Sequence, residues 1–577
     1  MRGAALHQAS LSAPLQEQVA NRAAAWDAAS GTRRLWQKDA TLWTGADEGR
    51  WLAWLHAADA TLADLPALLE FREQIAALGL THALLLGMGG SSLCPEVLAR
   101  TFGSRRGHPD LLVLDSTDPL QVRWFEARLD FARTLFVVAS KSGTTLEPEI
   151  LRAHFHSRAR RLLGDERAGA CFVAITDPGS QLERVAARDG YRRLFHGVPE
   201  IGGRFSALSS FGMVPAAILG LDLERLLERA RAMAAACGPE VPARENPGVA
   251  LGITLGALAL RGIDKLTLIG AAGLDALGAW LEQLVAESTG KHGKAIIPVD
   301  REPLAAPEWY GDDRVFVQIR LAGAPDGEQD AAVARLEQAG RPVLRIDVPD
   351  KAALAAEFFR WEIATAVAGA VLGIHPFDQP DVEAAKTAAR KVTAEFERSG
   401  ALPAEAPFHE EGGLRLFADP QNAAAIRQAA PQPSLAGFLG AHLRRARPGD
   451  YVALLAFVPM TGEHERRLQD ARRAIRDALR VATCLGFGPR FLHSTGQAYK
   501  GGPATGVFVQ VTCDDAEDVD VPGQRLTFGV VKAAQARGDL QVLAERGRRA
   551  LRVHIAGDVA CGLDALARAV QAALARS

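Results

Sequence analysis

The chain has 577 residues, 48% of them hydrophobic and 23% charged, a composition that can bury large cores and excludes both disorder and a collagen-like repeat. At about 150 residues per domain, the length predicts up to roughly four domains. The 66 basic and 68 acidic residues leave a net charge of −2, which excludes the strongly basic footprint of a nucleic-acid binder or a polybasic membrane surface and speaks for a small-molecule partner.

Residues 1–70 read as a helical extension rich in Ala, Leu and Trp, with Trp26, Trp36, Trp43, Trp51 and Trp54 expected to pack against the main body. From residue 71 onward, short apolar runs at 82–86, 111–114, 135–139 and 172–175 alternate with helical stretches, and each run ends in a turn rich in Gly, Ser or Asp. That alternation predicts a parallel sheet flanked by helices, a first domain over 71–240. The pattern returns after Asn246-Pro247, with a helix over 248–260, a strand at 266–270, and a helix carrying Leu274, Leu277, Leu281, Leu284 and Val285 at helical spacing. Strands at 295–299, 315–319 and 343–346 and a helix through Val367 and Val371 complete a second α/β domain over 245–397. Proline-studded residues 398–433 break the periodicity and are expected to be a linker. Strands at 451–458, 506–512 and 551–555, with helices near 462–481, 526–537 and 562–575, then predict a smaller C-terminal α/β unit over 434–577.

Six cysteines lie far apart with no Cys-x-x-Cys pair, the pattern of scattered buried thiols rather than of a disulfide framework or a zinc site. The longest nearly apolar stretch, 364–374, is about half of what a bilayer needs, and the N-terminus lacks the apolar core of a signal peptide. The expectation is a cytoplasmic, soluble protein.

Ligands of open parallel sheets bind beyond the carboxyl ends of the strands. Ser140-Lys141-Ser142-Gly143-Thr144-Thr145 lies at such an end and offers four hydroxyls and one ammonium, in a chain with only ten lysines. A helix starting near Pro148 would add its N-terminal N–H groups and positive dipole end, which makes the loop a cradle for a phosphate dianion. Gly87-Met88-Gly89-Gly90-Ser91-Ser92 resembles a dinucleotide fingerprint only superficially, because Ser92 stands where Gly or Ala is needed. It reads instead as a second polar cradle, with Gly90 and Ser91 facing the same ligand.

Five segments in order then resemble the phosphoglucose isomerase family: residues 87–95, the loop 140–145, Gly202-Gly203-Arg204-Phe205-Ser206, Ala286-Glu287-Ser288-Thr289-Gly290-Lys291, and residues 377–386. The resemblance implies an α/β chain of two sugar-isomerase (SIS) domains with parallel sheets flanked by helices, plus the smaller C-terminal α/β unit. From about residue 430 onward the chain is similar to the isomerase half of fused transaldolase/phosphoglucose isomerase proteins, although eight β/α repeats for a transaldolase barrel cannot be identified. The implied reaction is aldose–ketose isomerisation of glucose 6-phosphate and fructose 6-phosphate, which needs neither a redox cofactor nor a metal. A homodimer is implied by resemblance only.

The implied roles fall on Ser91, Ser140, Lys141, Ser142 and Thr145 for the phosphate and on Glu287 as proton carrier. Arg204 would be the cation for an enediolate, Gln379 a phosphate or hydroxyl contact, and Lys386 a lysine for sugar oxygens or ring opening. The family's ring-opening histidine is missing from its usual place, since residues 297–357 contain no histidine. His292, His375 and His493 remain, and His493 is preferred because Phe491-Leu492-His493-Ser494-Thr495-Gly496-Gln497 is a polar, Gly-bearing loop after an apolar run. A dual glucose/mannose phosphate isomerase and a non-catalytic sugar-phosphate-binding regulator stand as alternative readings.

Overall fold

The computed structural model describes residues 7–575. The N-terminal extension begins with a short strand, β1 (Gln8–Ser10), and continues through helices that include Ala13–Ala28 and Leu65–Ala77. Its tryptophans pack inward, as their number suggests. Trp54 is fully buried, stacked on Phe205 at 5.2 Å and tilted against Phe359 at 6.0 Å, so one indole joins the first and second α/β domains. The Trp43 indole N–H donates to the carbonyl of Ala366 at 2.8 Å.

The first domain holds β2 (His82–Leu86), β3 (Asp110–Leu114), β4 (Thr134–Ala139), β5 (Phe172–Thr176) and β6 (Arg193–His196), all parallel, in the order β3-β2-β4-β5-β6. The central strands β4 and β5 are buried along their whole length, which is why they read as continuous apolar runs rather than as an alternation. The second domain holds β7 (Lys265–Gly270), β8 (Ile297–Val299), β9 (Arg314–Leu321) and β10 (Val343–Val348), with β1 added antiparallel to β10. Its helix Pro247–Ala259 lies tightly on helix Leu354–Leu372, because a Cβ at Gly252 would stand 2.4 Å from the carbonyl oxygen of Ala364.

The remaining sheet contains β11 (His409–Glu411), β12 (Leu414–Phe417), β13 (Tyr451–Phe457), β14 (Ala482–Phe487), β15 (Gly506–Cys513) and β16 (Arg549–Ile555), in the order β11-β12-β16-β15-β13-β14. Its four parallel strands repeat the order of the other two sheets: the first strand of the unit is flanked by the second and the third. Each sheet therefore reverses its winding beside its first strand.

The expected linker is largely structured. Residues 409–417 form a hairpin on the edge of the C-terminal sheet, and 420–429 form a helix. The helix Pro380–Ser399 packs against Phe528–Glu545 of the C-terminal unit, where a Cβ on Gly538 would lie 2.7 Å from the backbone nitrogen of Ala389. The latter helix runs past Gly538 to Glu545 instead of ending near 537. Strands β6 and β14 carry too few consecutive apolar residues to stand out in the sequence.

The C-terminal unit is welded to both domains. Val521, Leu526, Phe528 and Val531 belong to the same apolar cluster as Leu84, Phe136 and Phe172 of the first domain, and Tyr451, Phe457 and Phe491 share a cluster with Ile297 and Val299 of the second. Arg490 enters a polar notch of the first domain, with Nη1 donating to Glu96 at 2.6 Å and Nε to Asp115 at 3.0 Å. Arg490→Ala leaves two carboxylates without their cation, and is expected to cost about 3–5 kcal/mol, read as a lower urea midpoint. An unshifted midpoint would mean that the Arg490 ion pairs contribute nothing net to the docking.

Candidate active site

A cleft of about 400 Å³ opens at the carboxyl ends of β2 and β4, where the first sheet reverses direction. Gly90, Ser91, Ser140, Lys141, Ser142, Thr145, Arg204, Glu287, Gln379, Lys386 and His493 all line it. These eleven positions come from both domains and the C-terminal unit, so the space exists only in the assembled chain.

One wall is the loop after β4. Gly143 has φ +67°, and a Cβ there would stand 2.6 Å from the backbone nitrogen of Leu182. Only glycine allows this tight turn into helix Leu146–Leu163. Thr145 precedes that helix without a side-chain capping bond, and the Ser140 hydroxyl, in a residue only 5% exposed, has no hydrogen-bond partner. Buried hydroxyls are nearly always paired, so an unpaired one at the head of a helix marks a place for an acceptor-rich ligand. Lys141 differs from expectation. Its ammonium is ion-paired with Asp177, at the end of β5, and donates to the carbonyls of Val198 at 3.2 Å and Pro199 at 3.1 Å. It borders the cleft as a tethered cation rather than an uncommitted one.

The Gly87–Ser92 turn meets the Gly-Gly-Arg turn edge to edge: a Cβ on Gly90 would lie 2.0 Å from the carbonyl oxygen of Gly203. The close approach aims Arg204 inward. Its guanidinium is 3% exposed, with Nε donating to Ser288 Oγ at 2.7 Å, Nη1 to Gln379 Oε1 at 3.0 Å, and Nη2 to the carbonyls of Pro376 at 2.7 Å and Asp378 at 3.0 Å. Burial pulls its pKa down, against the carboxylates of Glu287 and Asp378.

Glu287 lies near the end of helix Leu277–Thr289, 6% exposed and 3.7 Å from Arg204 Nη1. Gln283, one turn earlier, donates through Nε2 both to Glu287 Oε2 at 3.0 Å and to the carbonyl of His493 at 2.8 Å. Behind this pair Lys291 is almost fully buried, and burial pushes its pKa down to about 7. Its ammonium donates to the carbonyls of Ser288 at 3.0 Å and His375 at 2.7 Å.

The three histidines separate clearly. His292 is exposed in a turn with φ +52°. His375 is buried with both ring nitrogens engaged, Nε2 with Asp47 at 2.8 Å and Nδ1 with the N–H of Phe377 at 3.1 Å. His493 alone lines the cleft, its Nε2 2.9 Å from Glu147 Oε1. Burial is the largest influence on the Glu147 carboxyl and raises it, but the His493 imidazole, a backbone N–H and the Lys386 charge together hold it below the usual range. An ionised carboxylate only accepts, so Nε2 is the donor in this contact and Nδ1 is left facing away from Glu147. Gln535 Nε2 also donates to Glu147 Oε1, at 2.6 Å.

Lys386 reaches the cleft from helix Pro380–Ser399 while paired with Glu383 at 2.8 Å. Arg50 and Trp51 of the N-terminal extension, Asp177 and Gln283 also line the cleft. Gln283 carried a local signal, being four residues before Glu287 on one helix face. Arg50 and Trp51, like Gln535 behind His493, carried none.

The phosphoglucose isomerase family model matches residues 73–299. A glucose-6-phosphate isomerase of Rubrobacter xylanophilus is 34% identical over 378 residues, covering 56% of this chain and 85% of the relative. A probable glucose-6-phosphate isomerase of Haloarcula marismortui is 30% identical and covers 58% and 82%. Among solved structures, a hypothetical protein from Thermus thermophilus superposes with TM-score 0.59 at 24% identity, over 67% of this chain and all of the other. A glucose-6-phosphate isomerase from Chlamydia trachomatis gives TM-score 0.52 at 22% identity, over 64% of this chain and 78% of the other. At these identities the two structures speak for the fold: mixed α/β, with parallel sheets between helices.

Ser140→Ala removes a hydroxyl that has nothing to bond in the unliganded protein. Stability is expected to stay within about 1 kcal/mol of wild type, while affinity for a sulfate probe drops about tenfold. A loss of stability without a loss of affinity would remove Ser140 from the anion cradle.

Proposed function

The chain belongs to the phosphoglucose isomerase family, and from that premise we propose that it interconverts glucose 6-phosphate and fructose 6-phosphate through an enediolate, with Glu287 carrying the proton. The observation that carries this reading is the Glu287–Arg204 pair, 3.7 Å apart, in the same cleft as the hydroxyl-rich loop 140–145. A carboxylate that moves a proton and a fixed cation that stabilises the resulting oxyanion are what the chemistry requires.

Ser91, Ser140, Ser142 and Thr145 hold the phosphate at the head of helix Leu146–Leu163, which fixes where C1 and C2 of the sugar stop. His493, oriented by Glu147 through Nε2, offers Nδ1 to the ring oxygen and the C1 hydroxyl for opening the pyranose, and Lys386 contacts sugar oxygens. Glu287 then takes the C2 proton and returns it to C1, while Arg204 stabilises the charge on oxygen between the two steps. Gln379 holds Arg204 through its amide oxygen, so its contribution is to position the cation. The convergence of a carboxylate, a guanidinium and an oriented imidazole supports turnover over mere sugar-phosphate binding.

All residues in these roles come from one chain. Among the described residues no helix is long and apolar enough to cross a membrane. A cytoplasmic location is part of the same reading, supported by the substrate's chemistry and by six unpaired cysteines.

A coupled assay for fructose 6-phosphate formation from glucose 6-phosphate tests the activity, and its absence in folded protein would reject it. Glu287→Gln is expected to lose about 10²-fold or more in kcat with substrate affinity retained; wild-type turnover in that variant would remove Glu287 as the base. His493→Asn is expected to slow both isomerisation and the exchange of substrate anomers by about 10²-fold. If neither process slows, ring opening is performed elsewhere.

A further inference from the structure

The C-terminal unit has a crevice of its own. Its parallel strands reverse winding between β13 and β15, and at the carboxyl ends of these strands lies a cavity of about 360 Å³ that shares no lining residue with the catalytic cleft. In sheets of this topology that position is where ligands bind. Three guanidinium groups, Arg415, Arg537 and Arg552, face it.

Arg552 is the telling residue. It is 5% exposed, its guanidinium lies 4.2 Å over the ring of Phe417, and its Nε, although buried, has no hydrogen-bond partner. Its Nη2 donates to Glu405 at 2.8 Å, and the same carboxylate oxygen is paired with Arg537 Nε at 2.9 Å. One carboxylate thus serves two guanidinium groups, and a donor on the buried one is left over. Burial and the proximity of Arg552 pull the Arg537 pKa down, opposed by Glu405. An entering anion would relieve that repulsion. Asp514, 60% exposed and bonded to His554 Nε2 at 3.0 Å through one oxygen, also lines the cavity and offers its remaining acceptor sites for hydroxyls.

We propose that this crevice is a second, non-catalytic binding site for a small hydroxyl-bearing phosphate monoester, held by Arg552, Arg537 and Arg415 and felt in the catalytic cleft through helix Phe528–Glu545. Guanidinium groups match the oxygens of a phosphate in forked geometry. Arg537 belongs to the helix that carries Gln535, the donor to Glu147, and Gln535 itself accepts from Thr117 Oγ1 of the first domain at 2.8 Å. A ligand that draws on Arg537 therefore acts on the element that orients His493. The coupling, unlike the binding, rests on the catalytic role of His493.

The test is equilibrium dialysis of the full chain against radiolabelled inorganic phosphate. Two anions per chain are expected, one lost in Arg552→Gln and likewise in the more exposed Arg537→Gln, the other weakened in Ser140→Ala. A stoichiometry that both arginine variants leave unchanged overturns the site. Binding sensitive only to the arginines keeps the second site and instead rejects the phosphate role of the loop 140–145. In steady-state kinetics, phosphate filling the second site is expected to change kcat about fivefold. Arg537→Gln, with normal kcat in the absence of phosphate, abolishes the change. An effect confined to KM, or one that survives Arg537→Gln, overturns the coupling.

Discussion

Arg204 is a guanidinium taken almost completely out of water, and such burial is tolerable only when every donor finds an acceptor in good geometry. The acceptors here are Ser288, Gln379 and the carbonyls of Pro376 and Asp378, and the nearest carboxylate is Glu287. Satisfying this one side chain fixes the first domain's Gly-Gly-Arg turn against the end of the second domain's glutamate helix and against the turn that starts helix Pro380–Ser399. The electrostatic machinery of the cleft and the register between the two domains are thus set by the same hydrogen bonds.

The C-terminal unit completes the arrangement from the other side. A Cβ on Gly290, just past Glu287, would stand 2.2 Å from the Cα of Ala498, so the glutamate helix and the short helix Gly496–Gly501 touch backbone to backbone. Gln283 bridges the same seam, with one amide nitrogen serving both the Glu287 carboxylate and the His493 carbonyl. The Glu287 carboxylate and the His493 imidazole are therefore not independent fixtures. Displacement of either segment is transmitted to the other through a hydrogen bond and a contact with no side-chain slack.

Much of this was legible in the sequence because strand-to-helix turns concentrate chemistry in few residues. The loop 140–145 announced itself by hydroxyl density and a rare lysine, and the sheets by unbroken apolar runs. Glu287 was different: an ordinary helix-end glutamate by composition, it was picked out only by resemblance of its segment. His493 was found from an absence, the missing histidine between 297 and 357, together with the polarity of its own loop. What stayed hidden depends on contacts between distant positions. Nothing near Arg50 or Gln535 hints at a cleft, and the tether of Lys141 to Asp177 follows from the neighbouring β4 and β5, not from the loop. The edge hairpin within 398–433 was masked by prolines and by charged residues on a strand that needs to bury only one face.

The distribution of the cleft along the chain has a consequence for biosynthesis. Domains generally fold in the order in which they leave the ribosome. Here both sugar-isomerase domains, with Arg204 and Glu287 already facing each other, emerge before the segment that supplies the imidazole and before the helix that orients it. A nascent chain can bury most of its first two cores while the cleft still lacks a wall, and the cleft closes around Glu287 only when the C-terminal unit has been translated and docked.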